Sequence, residues 1–220
     1  MYDLKNIKNL LRNLEVLSGS FSDFHTDDVP ETPHELFINW LYIAIREDIL
    51  EPHAMTISTV DHDGYPDARV LILKNIDDNG WYFATSSESR KGQQLAEQSK
   101  VALTFYWPTL GKQVRIRGTA VETGSERSSA DFLERSEMAR AAAMIAKQSN
   151  LLLNKEELDN AFDQKIDIIK SNPDLVYPQW KLYCVHANQV EFWQGNTARK
   201  HTRLQYRLHN NQWTHELLWP

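Results

Sequence analysis

From Ala54 to Glu122 the chain is one extended run after another. AMTISTV is followed across DHDG by YPDARVLILKNI, across DDNG by WYFATSS, and later by VALTFYW and QVRIRGTAVET on either side of PTLGK. Runs of period two closed by such short turns pair as antiparallel hairpins, because a parallel pair needs a crossover of a dozen residues or so. One short helix interrupts them, in SESRKGQQLAEQS, with Ser89 as its N-cap. Residues 125–171 then lose the period of two and read as three helices: SERSSADFLERS with a Ser125 cap, EMARAAAMIAKQS, and KEELDNAFDQKIDIIKS before Pro173. Extended character returns in QWKLYCVHANQVEFWQG and in RLQYRLHNNQWTHELL, with Asn-Asn at a hairpin tip. The pattern predicts roughly six to eight mostly antiparallel strands. They form a mainly β architecture with helices, a closed or partly closed barrel with helices packed outside.

Ahead of the strands, MYDLKNIKNLLRNLEVL is a short amphipathic helix, and SGSFSDFHTDDVPETPH is an irregular and mobile arm. HELFINWLYIAIREDIL then presents Leu36, Phe37, Trp40, Leu41, Ile43, Ala44 and Ile45 as a buried helix face. The expected organisation is a helix and arm over residues 1–35, then a single domain over 36–220 with a helical insertion near 125–171.

A formal net charge of -6 argues against a general nucleic-acid binder, so any anion must be held locally. The lone Cys184 excludes an intrachain disulfide and fits a reducing cytoplasm. The charged N-terminal stretch is no signal peptide, and no run reaches the ~18 apolar residues that span a bilayer. There is no Gly-x-Gly-x-x-Gly loop, no P-loop and no Gly-x-Ser-x-Gly elbow, and the eight histidines show no metal-ligand spacing. What remains is a set of basic residues at element ends: Arg69 and Lys74 around VLIL, Arg90 and Lys91 at a helix start, and Lys147-Gln148-Ser149 closing the Ala-rich helix. A helix N-terminus carrying Ser89, Arg90 and Lys91 suits a phosphate. Arg69 and Lys74 lie an odd number of positions apart, so an ideal strand puts them on opposite faces, and only an irregularity lets both reach one ligand.

The ordered segments RVLILK, FATSSESRKG, KQV, KQS and VEFWQGNTARKHTRLQYR resemble the pyridoxamine 5'-phosphate oxidase family of FMN-binding split barrels, over nearly all of residues 36–220. The resemblance implies a homodimer with FMN at the subunit interface. Arg69, Val70, Leu71, Ile72, Leu73 and Lys74, with Ala84, Thr85, Arg90, Lys91 and Gln113, would hold the cofactor from one subunit. Gln148, Ser149, Trp193 and Arg203 would close the site, partly from the other. Arg199 and His201 would border the substrate as catalytic residues, with Lys74 and Arg135 also on the substrate side. Arg199 would orient an anionic or polar group, and His201 would hydrogen-bond or accept a proton. Lys200 and Arg207 would face solvent. The implied reaction passes a hydride from a small heterocyclic substrate to flavin, then on to dioxygen, releasing hydrogen peroxide.

The vitamin B6 enzymes of the family grip the substrate phosphate with a Tyr-x-x-x-Arg-x-x-x-Ser pattern. Here those positions are Asp131, Arg135 and Ala139. A carboxylate in place of the phenol repels phosphate, and alanine removes a donor. The family's flavin oxidases of phenazine biosynthesis are the better match, through Leu17-Ser18-Gly19, Tyr106-Trp107, Ile145-Ala146-x-Gln148-Ser149 and Trp213-x-His215-x-x-Leu218-x-Pro220. The resemblance thus leans to a dihydrophenazine-type substrate. Pyridoxine or pyridoxamine 5'-phosphate is the alternative, and a non-catalytic flavin- or haem-binding split barrel is a third reading.

Overall fold

The computed structural model describes residues 6–220, and in it the extended runs become nine strands, one more than the upper expectation, all paired antiparallel. β1 (Ala54–Val60) and β2 (Pro66–Ile72) form the first hairpin, whose turn is set by Asp61 Oδ1 accepting from the N–H groups of Asp63 and Tyr65. β3 (Asn75–Asp77) pairs with β4 (Gly80–Ser86). β5 (Lys100–Trp107) and β6 (Lys112–Glu122) are joined by a single 3-10 turn ending on Gly111 at φ 59. β7 (Trp180–Gln194) is followed by β8 (Thr202–His209) and β9 (Gln212–Leu217). Asn210 and Asn211 at that last hairpin tip have φ 49 and 62, the two positive values a type I′ turn requires.

The sheet runs β2-β1-β5-β6-β7-β4-β3, and β7 is where it splits. One edge of β7 pairs with β6 along its length. On the other edge residues 180–185 carry β4 and residues 189–194 carry β8. A register shift between Arg117 and Gly118 marks the bend between the halves. At the far side the chain leaves β2 at Leu73, whose N–H donates to His53, and joins β4 at Lys74, whose N–H donates to Tyr82. That switch is an irregularity between Arg69 and Lys74.

α1 (Ile7–Arg12) is a short helix with no buried side chain, and the start of the predicted helix lies outside the described residues. α2 (Pro33–Arg46) opens on Thr32, whose side chain accepts from the Glu35 N–H, with Pro33 in the first turn. Its Phe37, fully buried, meets Trp81, Phe105 and Trp107 edge-on or tilted, while Trp40 packs on Phe192. This helix therefore fills the barrel interior. Ile45, expected inside, is exposed, because the apolar stripe facing the sheet is narrower than the run of apolar residues. The arm after α1 is not free either. Phe21 covers Gly111, Leu17 lies beside Gly195, Phe24 packs on Trp40, and the Tyr206 hydroxyl donates to Pro30.

α3 (Arg90–Glu97) is capped by Ser89 as expected. The insertion holds α4 (Ser125–Leu133), α5 (Glu137–Met144) and α6 (Lys155–Ser171). Ser125 is the first residue of α4, and Gly124 occupies the cap position. α5 ends at Met144, so Lys147, Gln148 and Ser149 lie in a loop beyond it.

Lys112 is a buried cation with no carboxylate partner among the described residues. Its ammonium lies 3.9 Å from the centre of a Trp40 ring and donates to Gln194 Oε1, and burial pushes its pKa down to about 8. The unfolded chain keeps this proton up to the ordinary lysine range, so rising pH from about 8 towards that range favours the folded state. The stability difference between the wild-type chain and Lys112→Met should therefore grow in favour of wild type from pH 8 to pH 10 in denaturant titrations. A constant difference would rule this out.

Candidate functional site

Between the sheet and the helical insertion lies a cavity of about 730 Å³. One wall is the end of β2 and the β4 edge: Val70, Leu71, Ile72, Lys74, Ala84 and Thr85. The opposite wall comes from α5, α6 and the loop between them; Ala142, Ala143, Ile145, Leu152, Ala161 and Phe162 make it largely apolar, and Lys147, Asn150 and Glu157 add polar groups. Ser89 and Lys91 contribute the start of α3, and Arg135 and Trp180 close another end. The sequence pattern assigned the apolar wall and Trp180 no role, since Ala-rich helix faces carry no chemical signature.

At the α3 end the groups are tightly organised. Ser89 Oγ accepts from the Gly92 N–H at 3.1 Å and donates to the Ser86 carbonyl at 2.7 Å. Lys91, 5% exposed, donates to Thr85 Oγ1 at 3.4 Å and to Gln148 Oε1 at 3.0 Å. Both partners are neutral. Burial, and then the charge of Arg69, lower the Lys91 pKa. A buried ammonium facing a cavity with only neutral partners is a seat for an anion. Gln148 reaches this seat from the same chain. Ser149 and Ala146 around it have φ 71 and 56, a left-handed backbone uncommon outside glycine that concentrates at functional loops.

Arg69 and Arg90 do not line the cavity. Arg69 donates to Thr59 Oγ1, to the Asp67 carbonyl and to Gln94 Oε1, and it pairs with the Asp67 carboxylate at 2.7 Å. Those bonds occupy its two terminal nitrogens and leave Nε for a ligand. Arg90 pairs with the same Asp67 at 3.4 Å and with Asp61 at 3.8 Å. Asp67 also accepts from Gln94, and the net effect of these partners against its burial is a lowered pKa. Asp67 was legible in principle, because a spacing of two puts it on the Arg69 face of the strand.

At the other end Lys74 Nζ lies 3.3 Å from Asp131 Oδ1, and Trp180 Nε1 donates to Asp131 Oδ2 at 2.7 Å. The Arg135 guanidinium stacks 3.9 Å from Trp180 and donates to the Ala139 carbonyl, while its Nε is buried with no partner among the described residues. Leu73 faces the core.

The remaining predicted residues lie elsewhere. Gln113, Trp193 and Arg203 are directly paired across β6, β7 and β8, on the outward face that also carries Val70 and Ile72. β7 starts at Trp180, which lines the cavity, and Trp193 stands thirteen positions further on, roughly 43 Å along the strand. Arg203 is held by Glu191 at 2.9 Å and by the Trp219 carbonyl at 2.8 Å. His201 packs against Trp193, with ring centroids 4.9 Å apart, and its Nδ1 accepts from the Asn196 N–H at 3.1 Å. A neutral ring then carries its proton on Nε2. Arg199 is exposed at φ 64 in the same loop. The residues expected to surround one ligand thus form two sets on one chain, and the cavity gathers only the first.

Two family models match the chain. Residues 42–165 match the family model "Pyridoxamine 5'-phosphate oxidase", and residues 180–220 match "Pyridoxine 5'-phosphate oxidase C-terminal dimerisation region". A pyridoxine/pyridoxamine 5'-phosphate oxidase of Pseudomonas fluorescens (strain SBW25) is 40% identical over 196 residues, covering 87% of this chain and 90% of its own. One of the same name from Legionella pneumophila (strain Lens) is 35% identical over 188 residues, covering 86% and 87%. The crystal structure of PhzG from Burkholderia lata 383, in complex with tetrahydrophenazine-1-carboxylic acid, superposes with a TM-score of 0.83 at 29% identity, over 92% of this chain and 100% of that one. A split antiparallel sheet whose last strands match a dimerisation region, with these matches over most of its length, places the chain in the pyridoxamine 5'-phosphate oxidase family of oxidoreductases.

Proposed function

We propose that the protein is an FMN-dependent oxidase of a reduced nitrogen heterocycle, with a dihydrophenazine-type substrate ahead of pyridoxine or pyridoxamine 5'-phosphate. The observation that carries the reading is the cavity itself, with a buried cation seat at Lys91 and Thr85, an apolar wall, and a second cationic end at Lys74 and Arg135. The donor set fits FMN. Lys91, Thr85, Gln148 and the start of α3 suit its phosphate, with Arg69 Nε and Arg90 as outer support, and the outward strand residues Val70 and Ile72 suit its ring edge. When bound, FMN supplies the two-electron acceptor that takes hydride from the substrate and returns the electrons to dioxygen, giving hydrogen peroxide.

The functional unit in this reading is a homodimer. Gln113, Trp193 and Arg203 are too far along the sheet to close the cavity of their own chain, and they lie on or beside the segment that matches the dimerisation region. A second copy brings them to it. Arg199 then orients the substrate's polar group, and His201 donates from Nε2, since the Asn196 N–H already occupies Nδ1.

The similarity to PhzG and the broad apolar wall support a tricyclic substrate. Retention of Arg135 and the names of the 35–40% identical relatives support the vitamin B6 alternative. The test is anaerobic: FMN-loaded protein is mixed with reduced phenazine-1-carboxylate or with pyridoxine 5'-phosphate, and flavin bleaching is followed before oxygen is admitted. Faster bleaching by the phenazine supports the ordering. Efficient oxidation of pyridoxine 5'-phosphate alone reverses it, and bleaching by neither removes the oxidase reading.

A further inference from the structure

Resting on the oxidase reading, we infer that Asp131 sets the charge of substrate this site accepts, selecting a monoanionic heterocycle over a dianionic phosphate by neutralising Lys74. Asp131 does not line the cavity, and its side chain is only 10% exposed. It sits behind the wall and acts through two residues that do line it. Oδ1 takes the Lys74 ammonium and Oδ2 takes the Trp180 indole N–H, so both carboxylate oxygens are engaged inside the protein. It is therefore not a bare negative charge facing the ligand. Its influence is to remove Lys74 from the set of free cations.

What is left for a ligand is Arg135. Its guanidinium is stacked on the same Trp180 that Asp131 fixes, one terminal nitrogen donates to Ala139, and Nε remains buried and unsatisfied beside the cavity. Lys74, Arg135 and Asp131 together carry two positive charges and one negative, a net charge of one. A carboxylate matches that charge and uses the free N–H donors of Arg135. A phosphate dianion would have to draw Lys74 from its ion pair and leave Asp131 buried without its cation, which carries a large penalty. Asp131 is a positioning residue by this account, holding Lys74 back and Trp180 in place as the platform for Arg135.

Asp131→Asn separates the two functions, because the amide oxygen can still accept from Trp180 while the charge is lost. The FMN-loaded protein would be titrated with phenazine-1-carboxylate as the monoanion and with unreactive 4-deoxypyridoxine 5'-phosphate as the dianion, following the flavin spectrum at pH 8. Wild type should bind the monocarboxylate tighter. Asp131→Asn should bind the dianion about tenfold tighter or more than wild type does, while its affinity for the monocarboxylate stays within roughly threefold. Asp131→Glu should restore the wild-type ratio. Equal changes for both ligands would reduce Asp131 to a structural role and overturn the inference. Tighter binding of the dianion by wild type would also overturn it, while leaving the oxidase reading intact. Binding of neither ligand to an FMN-loaded protein defeats both.

Discussion

Lys91→Met is expected to weaken FMN binding by about a hundredfold, roughly 2.7 kcal/mol, while the melting temperature of the cofactor-free protein stays within about 2 °C of wild type. The asymmetry follows from where the charge sits. Without a phosphate, Lys91 is a buried ammonium with two neutral acceptors, and burial already lowers its pKa, so its charge does not stabilise the empty protein. Methionine has similar length and no charge to desolvate, and it loses little there beyond two hydrogen bonds. With the phosphate present, the ammonium is the cation hydrogen-bonded into the α3 end, the neighbouring Lys147 being paired with Glu157, and its loss leaves Thr85, Gln148 and backbone N–H groups to hold a dianion. Quenching of FMN fluorescence on titration measures the affinity, and calorimetry of the apo form measures the stability. An unchanged dissociation constant would show that the phosphate is seated elsewhere.

Gly92→Ala should produce the largest combined loss, lowering stability by about 3 kcal/mol, or ~6–12 °C in melting temperature, and abolishing measurable FMN binding. A Cβ at position 92 would stand 2.3 Å from the Ser86 carbonyl oxygen and 2.7 Å from Ser87 backbone atoms. Backbone cannot swing aside as a flexible side chain can, so the first turn of α3 would have to lift off the end of β4. That same approach lets Ser89 bridge Ser86 and Gly92 and sets Lys91 against Thr85. A helix displaced by even 1 Å opens the seat. An alanine variant with wild-type melting and wild-type FMN affinity would show that α3 is not held as tightly as its contacts indicate.

The strand pattern was legible because its punctuation in the β1–β6 region is largely built by local chemistry: Asp61 closing its own turn, Gly111 in the left-handed region, and the Ser89 cap. Two expectations failed for a common reason. Lys147–Ser149 read as the end of a segment of strong helix formers, and residues 18–34, just after a helix ending at Leu17, read as a mobile arm. Helix propensity favours continuing past Met144, but the chain turns there through positive φ at Ala146 and packs back over the cavity. The arm carries no periodicity, yet its Leu17, Phe21 and Phe24 find partners on Gly195, Gly111 and Trp40 that are far away in the chain. Local preference has no knowledge of either.

By itself the sequence determined the antiparallel sheet with its helical insertion, and through an ordered set of short motifs it determined the family and pointed to the polar groups that line the cavity ends, Lys74, Thr85, Lys91, Arg135 and Gln148. Periodicity, caps and turn residues act over a few positions, and motifs of that length survive in the chain order. Only the tertiary structure decided how the charges are spent. It bound Arg69 and Arg90 to Asp67, left Lys91 facing the cavity with neutral partners, and cancelled Lys74 with Asp131 while stacking Arg135 on Trp180. Those pairings join residues tens of positions apart, and the worth of each charge depends on its burial and its neighbours, which chain order does not encode.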